Sequence, residues 1–185
     1  MKTKHLIYIL FSMPGIIVHE FSHQLFCSLS GVKVFKVKYF QLKSPAGYVE
    51  HAQPRNFIQA FFISVGPFIF GTILSLLFLW FVVYTTKNIF NHSLILNTYY
   101  LILIFFAFWF GISIAINCFP SSGDARVLLL ETNRHVLHHF NPFAIILYPF
   151  VFIIKIANFL KRFYFDWIYA IFLLGIAIYV VTFLM

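Results

Sequence analysis

Residues 5–29 have the sequence HLIYILFSMPGIIVHEFSHQLFCSL, an apolar run long enough to cross a bilayer as a helix. Pro14 and Gly15 interrupt this run and predict a kink. Four further apolar stretches follow, at about 56–86, 97–119, 143–160 and 167–185. The pattern predicts an all-α polytopic membrane protein with about five transmembrane helices, the fourth of which contains Lys155.

The composition supports the same class of protein. Of the 185 residues, 62% are hydrophobic, 22% are aromatic and only 10% are charged, whereas soluble domains carry about 25% charged residues. Apolar surface on this scale requires lipid as the solvent. The formal charge of +8 comes from basic residues beside the apolar runs, which favours a lipid bilayer and excludes nucleic acid as a partner. We expect one membrane-embedded domain over residues 1–185, with a core at about 5–139 and additional helices at about 143–185.

The stretch between the first two apolar segments has a different pattern. Apolar and basic residues alternate in Val32-Lys33-Val34 and again from Phe35 to Tyr39, which is typical of a strand. Ser44-Pro45-Ala46-Gly47 indicates a turn, and Tyr48-Val49-Glu50-His51 fits a return strand. We therefore expect a small membrane-associated β-hairpin at about 32–51, between the first two helices.

A second departure from the apolar pattern follows the third apolar segment. Residues 124–139 are amphipathic and predict an interfacial helix, with Ser122 or Asp124 as its N-terminal cap. The apolar residues of this helix include Val127, Leu128, Leu130 and Val136.

His19-Glu20-Phe21-Ser22-His23 lies in the second half of the first apolar run. The spacing of four residues places both imidazoles on one face of a helix, where they could bind the same ion. Glu20 adjoins the first histidine and could accept a proton from a water at that ion, which is the pattern of zinc metalloproteases. Ionisable groups are costly inside a membrane, so we expect these to be functional. The alternative is a structural role in packing between helices.

The third ligand of a hydrolytic zinc must come from elsewhere in the chain, because such sites have three protein ligands and one open position. The first and third apolar segments cross in the same direction, so their C-terminal ends lie at the same face. Asp124 follows the third segment, and Pro120 and Gly123 allow the chain to turn back there. We therefore expect His19, His23 and Asp124 to bind one Zn²⁺. The other side chains considered are Glu50, His51, Glu131, His135, His138, His139, Cys27 and Cys118.

Two of these alternatives carry expectations of their own. Cys27 is one turn beyond His23, about 6 Å farther along the helix axis, so we expect it to line the site without binding the ion. The cluster of His135, His138 and His139 lacks an adjoining Glu and is expected to form a solvated interfacial face. A second metal site of lower affinity is the alternative for this cluster.

These motifs resemble the site-2 protease family of intramembrane zinc metalloproteases over about residues 10–130. The resemblance rests on the histidine motif, on Gly66-Pro67 and on Asn117-Cys118-Phe119-Pro120-Ser121-Ser122-Gly123-Asp124. It implies that Asp124 is the third zinc ligand and that a hairpin lies between the first two core helices. In this chain Gly123 precedes Asp124 and Ala125 follows it, which differs from the common form of the family and indicates a compact, divergent branch.

The expected function is hydrolysis of peptide bonds in membrane-protein substrates, within or beside the bilayer. Glu20 would serve as the general base. The hairpin offers an edge strand, with Tyr48 and Val49, for pairing with an unwound transmembrane protein or peptide substrate. The resemblance also implies that Asn117 hydrogen-bonds the substrate backbone. The sequence does not determine the oligomeric state.

Two other functions are compatible with the motif. A non-proteolytic membrane protein that binds metal and a partner could keep the ion as a structural element, and would favour Cys27 or Cys118 as a fourth ligand. A membrane metallopeptidase of the prenyl-protein type takes its third ligand from a Glu, which here would be Glu131.

The predicted segments divide the basic residues almost evenly between the two sides of the membrane. If five segments cross in alternation, six basic residues lie on the N-terminal side: Lys2, Lys4, Lys87, Lys155, Lys161 and Arg162. Seven lie on the opposite side: Lys33, Lys36, Lys38, Lys43, Arg55, Arg126 and Arg134. The positive-inside rule does not separate these counts, and the family resemblance implies that the active-site face is cytosolic.

Overall fold

The computed structural model describes residues 3–91, 97–139 and 142–184, and the side chains of residues 3–5 and 137–139 are outside the described part. Within these ranges the chain forms six α-helices and one two-stranded sheet. The helices are α1 (Thr3–Leu29), α2 (Phe57–Phe90), α3 (Thr98–Ile116), α4 (Ser122–His139), α5 (Pro142–Leu160) and α6 (Phe165–Tyr179). The strands are β1 (Val34–Lys38) and β2 (Tyr48–His51).

Five of the helical segments are long and apolar enough to span a membrane: Leu6–Leu29, Phe57–Phe90, Thr98–Ile116, Pro142–Phe163 and Phe165–Leu184. Large apolar side chains on these segments are exposed, including Phe105, Ile146 and Ile171. Exposure of so many apolar residues is incompatible with water as the sole solvent and indicates a multi-pass membrane protein. The predicted fold class is therefore confirmed, including the hairpin between the first two helices.

The close approach of α1 to α3 fixes the centre of the bundle. The backbone N–H of Gly15 donates to Ser113 Oγ at 2.9 Å, and a Cβ at Gly15 would lie only 2.0 Å from the Ser113 carbonyl oxygen. One turn earlier, Trp109 Nε1 donates to the Phe11 carbonyl at 2.9 Å. A glycine is required at this crossing because any side chain would separate the two helices that carry the ends of the site.

The hairpin is antiparallel and lies against α1. Val37 pairs with Val49 and Lys38 pairs with Tyr48, with a register irregularity between Val34 and Lys36. The Tyr39 hydroxyl donates to the side-chain carbonyl of Gln24 on α1. These contacts hold the hairpin over the half of α1 that contains the histidine motif.

Helix α4 begins with a reciprocal cap. Ser121 N–H donates to Asp124 Oδ2 at 2.9 Å, and Asp124 N–H donates to Ser121 Oγ at 3.2 Å. The N-terminal cap of α4 is therefore Ser121, because its side chain accepts a hydrogen bond from the first turn. The prediction of Ser122 or Asp124 as the cap is wrong. On the body of the helix, Leu128 is buried whereas Val127 and Leu130 are exposed.

The ends of α6 show how the C-terminal helices are arranged. At its start, the ring of Phe165 lies 5.4 Å from that of Phe119, just beyond α3. At its end, Lys87 Nζ of α2 donates to the Val181 carbonyl at 2.7 Å. Lys161, which directly precedes α6, therefore lies at the end of the bundle where α3 ends, and it donates to the Phe119 carbonyl at 3.0 Å.

Strict alternation of the five segments predicted that Lys161 lies on the same side as Lys87, and this prediction is wrong. The reason is that α5 packs along α4 and shares its core, in which Leu128 meets Val151 and Ile154. Helix α5 thus ends near the point where α4 begins, beside the end of α3.

Candidate metal centre

The two histidines of α1 have the same hydrogen-bonding arrangement. His19 Nδ1 lies 2.7 Å from the Asn117 carbonyl oxygen, and His23 Nδ1 lies 2.9 Å from the Ile63 carbonyl oxygen. Because a carbonyl only accepts, each Nδ1 carries the proton and each Nε2 presents a lone pair. The two Nε2 atoms are 3.2 Å apart, so two acceptors face each other without a donor between them.

Asp124 brings a third acceptor to the same point. Its Oδ2 atom lies 3.3 Å from His23 Nε2 and 3.7 Å from His19 Nε2. The same oxygen accepts the Ser121 N–H, so the cap of α4 aims the carboxylate at the histidines. Burial alone would raise the pKa of Asp124, but hydrogen bonds and charge interactions with the two imidazoles, when these are protonated, hold this pKa well below its ordinary value. The carboxylate is therefore ionised at neutral pH.

These three ligand atoms have the spacing that a metal ion requires. Nitrogen and oxygen atoms bound about 2.0–2.1 Å from a tetrahedral zinc lie about 3.3–3.4 Å from one another. The observed separations of 3.2, 3.3 and 3.7 Å are close to that edge length. Two neutral imidazoles and one carboxylate also match the donor set of catalytic zinc sites. His19, His23 and Asp124 could thus hold a metal ion, and they are the one such group among the described residues.

A pocket of about 410 Å³ opens beside the three ligand atoms. Glu20, Asn117, Tyr48 and Val49, the remaining residues predicted for the site, all line it. Further lining residues include Gly47, His51, Ser121 and Lys161. The structure therefore brings together every side chain that the sequence assigned to base, ligand or substrate contact.

Gly47 marks the point where the hairpin lies directly on Glu20. A Cβ at Gly47 would be 2.6 Å from Glu20 Cγ and 2.9 Å from the Tyr39 carbonyl oxygen. The hairpin backbone thus forms one wall of the pocket and restricts the positions available to the Glu20 side chain.

The alternative ligands lie elsewhere. Glu131 contacts His135 at 3.9 Å, and Gln53 donates to it at 3.4 Å, so its carboxylate is engaged away from the α1 histidines. His51 lines the pocket, but its Nδ1 contacts the Ala52 carbonyl at 2.8 Å, and Glu50 is exposed. The side chains of His138 and His139 lie outside the described residues.

The cysteines are packing residues. Cys27 is fully buried in a cluster with Val32 and Ile63 and does not line the pocket, so the expectation that it would do so is wrong. Its side chain points into the contact between α1 and α2. Cys118 Sγ lies 3.2 Å from the Ile114 carbonyl and packs against Gly71. Burial raises the pKa of the Cys118 thiol to about 12.

Sequence reasoning missed three residues of the site. Ser121 stands three residues before Asp124, and this spacing of a capping box was available as a signal. Gly47 was assigned only to a turn, and nothing in the sequence indicated its contact with Glu20. Lys161 ends an apolar segment that was expected to finish on the opposite side, so no local pattern pointed to the pocket.

No protein-family model, curated protein or solved structure matches this chain. The class of this protein therefore follows from its fold and its candidate site alone. It is a multi-pass membrane protein in which a His-His-Asp group, able to hold a metal, adjoins a carboxylate-lined pocket.

Proposed function

We propose that the protein is an intramembrane zinc metalloprotease that hydrolyses peptide bonds of membrane proteins. The observation that carries the proposal is the convergence of His19, His23 and Asp124 on one point, with Glu20 lining the same pocket. Both Nδ1 protons are committed to carbonyls, so the two Nε2 atoms and the carboxylate form an acceptor group suited to a cation. A structural metal would not require a further carboxylate beside it, whereas hydrolysis does.

One zinc ion held by His19, His23 and Asp124 would supply a Lewis acid next to the pocket. Glu20 is the general base: its carboxylate takes a proton from the attacking water and then delivers it to the leaving amine. The carbonyls of Asn117 and Ile63 hold the two histidines in the tautomer that leaves Nε2 free for the ion.

The substrate is a membrane-spanning segment that has locally unwound. Its backbone groups need partners once the helix opens, and the pocket wall formed by Tyr48 and Val49 on β2 supplies an extended backbone beside the ligands. Asn117 lines the same pocket and donates from Nδ2 to the Ser113 carbonyl at 2.8 Å, which leaves its side-chain oxygen for a substrate N–H.

The resemblance to the site-2 protease family supports the same proposal. The histidine motif lies on the first helix, a hairpin follows that helix, and an aspartate follows the third core helix. The order Gly123-Asp124-Ala125, which departs from the common form, leaves the carboxylate within 3.3 Å of His23. This departure from the common form therefore indicates a different branch of the family, and it leaves the proposed ligand set unchanged.

We also propose that the end of the bundle with the site faces the cytosol. The support is the corrected position of Lys161, which together with Arg162 moves from the N-terminal side to the site side. Three basic residues then flank the spans on the N-terminal side: Lys2, Lys4 and Lys87. Lys155 lies within α5 and is counted on neither side. Nine flank them on the site side: Lys33, Lys36, Lys38, Lys43, Arg55, Arg126, Arg134, Lys161 and Arg162. Such a bias favours a cytosolic site by the positive-inside rule.

Orientation is tested by labelling introduced cysteines with a membrane-impermeant maleimide. Lys43→Cys on the hairpin should react only after the cells are opened, whereas Asn91→Cys beyond α2 should react in intact cells. The native Cys27 and Cys118 are buried and give little background. The opposite labelling pattern would reverse the orientation.

The activity is tested by substituting Glu20. A panel of single-span membrane proteins, tagged at both ends, is co-expressed with the wild type and with Glu20→Gln. The wild type should yield shortened fragments, and Glu20→Gln should keep zinc but yield none. Glu50→Gln removes an exposed carboxylate from the same hairpin region and serves as the matched control, with cleavage unchanged. Undiminished cleavage by Glu20→Gln would refute the assignment.

A further inference from the structure

The segment between α3 and α4 determines where Asp124 stands. The chain leaves α3 after Ile116, and Asp124 already lies in the first turn of α4. Phe119 and Pro120 in this short segment have irregular backbone, so their carbonyls are not part of the helical hydrogen-bond pattern. Inside an apolar environment each of these carbonyls needs a donor from another element.

Helix α5 and the turn after it supply two of those donors. Asn158 Nδ2 donates to the Pro120 carbonyl at 2.8 Å. Lys161 Nζ donates to the Phe119 carbonyl at 3.0 Å and approaches the Pro120 carbonyl at 3.4 Å. Asn158 near the end of α5 and Lys161 in the turn after it are three residues apart, and both reach the Pro120 carbonyl. Hydrogen bonds from an ammonium group are stronger than neutral ones, so Lys161 is the firmer of the two contacts.

The opposite side of the same segment is held by the site itself. His19 Nδ1 donates to the Asn117 carbonyl, and Ser121 and Asp124 form the reciprocal cap. The segment is therefore fixed between α1 on one side and α5 on the other. Lys161 also lines the pocket that contains Asp124, which places its positive charge beside the anionic ligand.

We propose that Asn158 and Lys161 form a clamp that positions Asp124 for metal binding. The clamp rests on the proposed metal centre, and it assigns a role in that centre to the C-terminal helices. Both residues are positioning residues, because they act through the Phe119 and Pro120 carbonyls. Without these two donors the segment would shift. Asp124 Oδ2 would then no longer lie 3.3–3.7 Å from the two imidazole Nε2 atoms.

The competing role for Lys161 is direct contact with substrate in the pocket. The two roles differ in one measurable quantity. A clamp changes the affinity of the site for metal in the absence of substrate, whereas a substrate contact changes only cleavage.

The experiment measures metal binding in the Glu20→Gln background, so that no cleavage interferes. Lys161→Met and Asn158→Leu remove the donors with little change in volume. Lys155→Met is the matched control, since it makes the same substitution at an exposed site of α5, six residues before Lys161. Zinc affinity is measured by competition with a chelator, and the visible absorption of the Co²⁺-substituted protein reports the ligand geometry. Thermal unfolding of each purified variant without metal shows whether the fold is retained.

The expected result is a 10–100-fold loss of zinc affinity for Lys161→Met, the range seen when groups supporting a metal ligand are removed. Its Co²⁺ spectrum should be altered, and Asn158→Leu should have a smaller effect. Lys161→Arg keeps the donors and should bind zinc more tightly than Lys161→Met, while Lys155→Met should match the parent.

Unchanged affinity and an unchanged Co²⁺ spectrum in Lys161→Met would overturn the clamp, and so would an equal loss in Lys155→Met. If the parent protein itself binds no zinc, the proposed metal centre fails together with the clamp. If the parent binds zinc and Lys161→Met binds it equally well, only the clamp fails.

Discussion

His19 Nδ1 lies 2.7 Å from the carbonyl oxygen of Asn117, a residue 98 positions farther along the chain. This hydrogen bond joins the helix that carries two of the candidate ligand atoms to the segment that leads to the third in α4. It also sets the tautomer of His19, so one contact decides both the position and the chemistry of the site.

The first prediction concerns the ligand set. His23→Ala and Asp124→Ala should each reduce bound zinc to a small fraction of the wild-type content, because two ligand atoms are too few for a stable site. Zinc content of the purified protein, measured by atomic emission after dialysis, checks this. His51→Ala is the control, since His51 lines the same pocket but lies outside the triad. Equal zinc loss from the control, or retention by Asp124→Ala, would contradict the assignment.

The second prediction concerns the crossing of α1 and α3. Gly15→Ala places a methyl group 2.0 Å from the Ser113 carbonyl oxygen, so the helices must separate. We expect a loss of stability of about 1–3 kcal/mol, as for other overpacked cores, and weaker zinc binding because the His19–Asn117 contact lies one turn away. Thermal unfolding in detergent and chelator competition measure the two effects.

Gly175 gives the control for that substitution. A Cβ at Gly175 on α6 meets nothing within 4 Å, so Gly175→Ala should unfold at or slightly above the wild-type temperature. If Gly15→Ala and Gly175→Ala behave alike, the close approach at Gly15 does not limit the stability of the bundle.

The third prediction concerns the hairpin. Gly47→Ala would force either the hairpin or the Glu20 side chain to move, because the added Cβ lies 2.6 Å from Glu20 Cγ. Zinc content should stay unchanged, whereas the rate of cleavage should fall by about tenfold or more, since a displacement of the base by about 1 Å is costly. Leu42→Ala, an exposed position on the same hairpin, should retain the wild-type rate. A normal rate for Gly47→Ala would show that the hairpin does not constrain Glu20.

The fourth prediction concerns the thiols. Cys118 is buried with a pKa of about 12, so its thiolate fraction at neutral pH is on the order of 10⁻⁵. Cys27 is fully buried as well. Neither should react with a maleimide in the folded protein, with or without added zinc, and both should react after denaturation. Mass spectrometry counts the labels, and protection of a thiol only when zinc is present would instead indicate a cysteine ligand.

Much of the fold follows from local pattern. Apolar runs separated by short polar stretches predict helices because backbone groups in lipid must be satisfied within the segment, and each run contains a helix in the structure. The alternation of apolar and basic residues from Phe35 to Tyr39 similarly predicts β1. These features depend on neighbours in sequence, and that is why the sequence suffices for them.

The direction of the C-terminal helices was not predictable in this way. Apolar runs show that α5 and α6 are long enough to span, but not that α5 packs along α4. Alternation therefore assigned Lys161 to the wrong end of the bundle. The contact that corrects it, from Lys161 Nζ to the Phe119 carbonyl, joins residues 42 positions apart and depends on side-chain packing that no local pattern encodes.

By itself the sequence determined the fold class and the helix and strand segments. Helical spacing and the parallel course of two segments also singled out His19, Glu20, His23 and Asp124 as candidate site residues. Only the tertiary structure decided that the three ligand atoms lie within 4.8 Å of one another. It alone decided which nitrogens face the pocket, and that Gly47 and Lys161 enclose it. The physical reason is that distances of a few tenths of an ångström depend on how helices pack, and packing joins residues that the sequence keeps far apart.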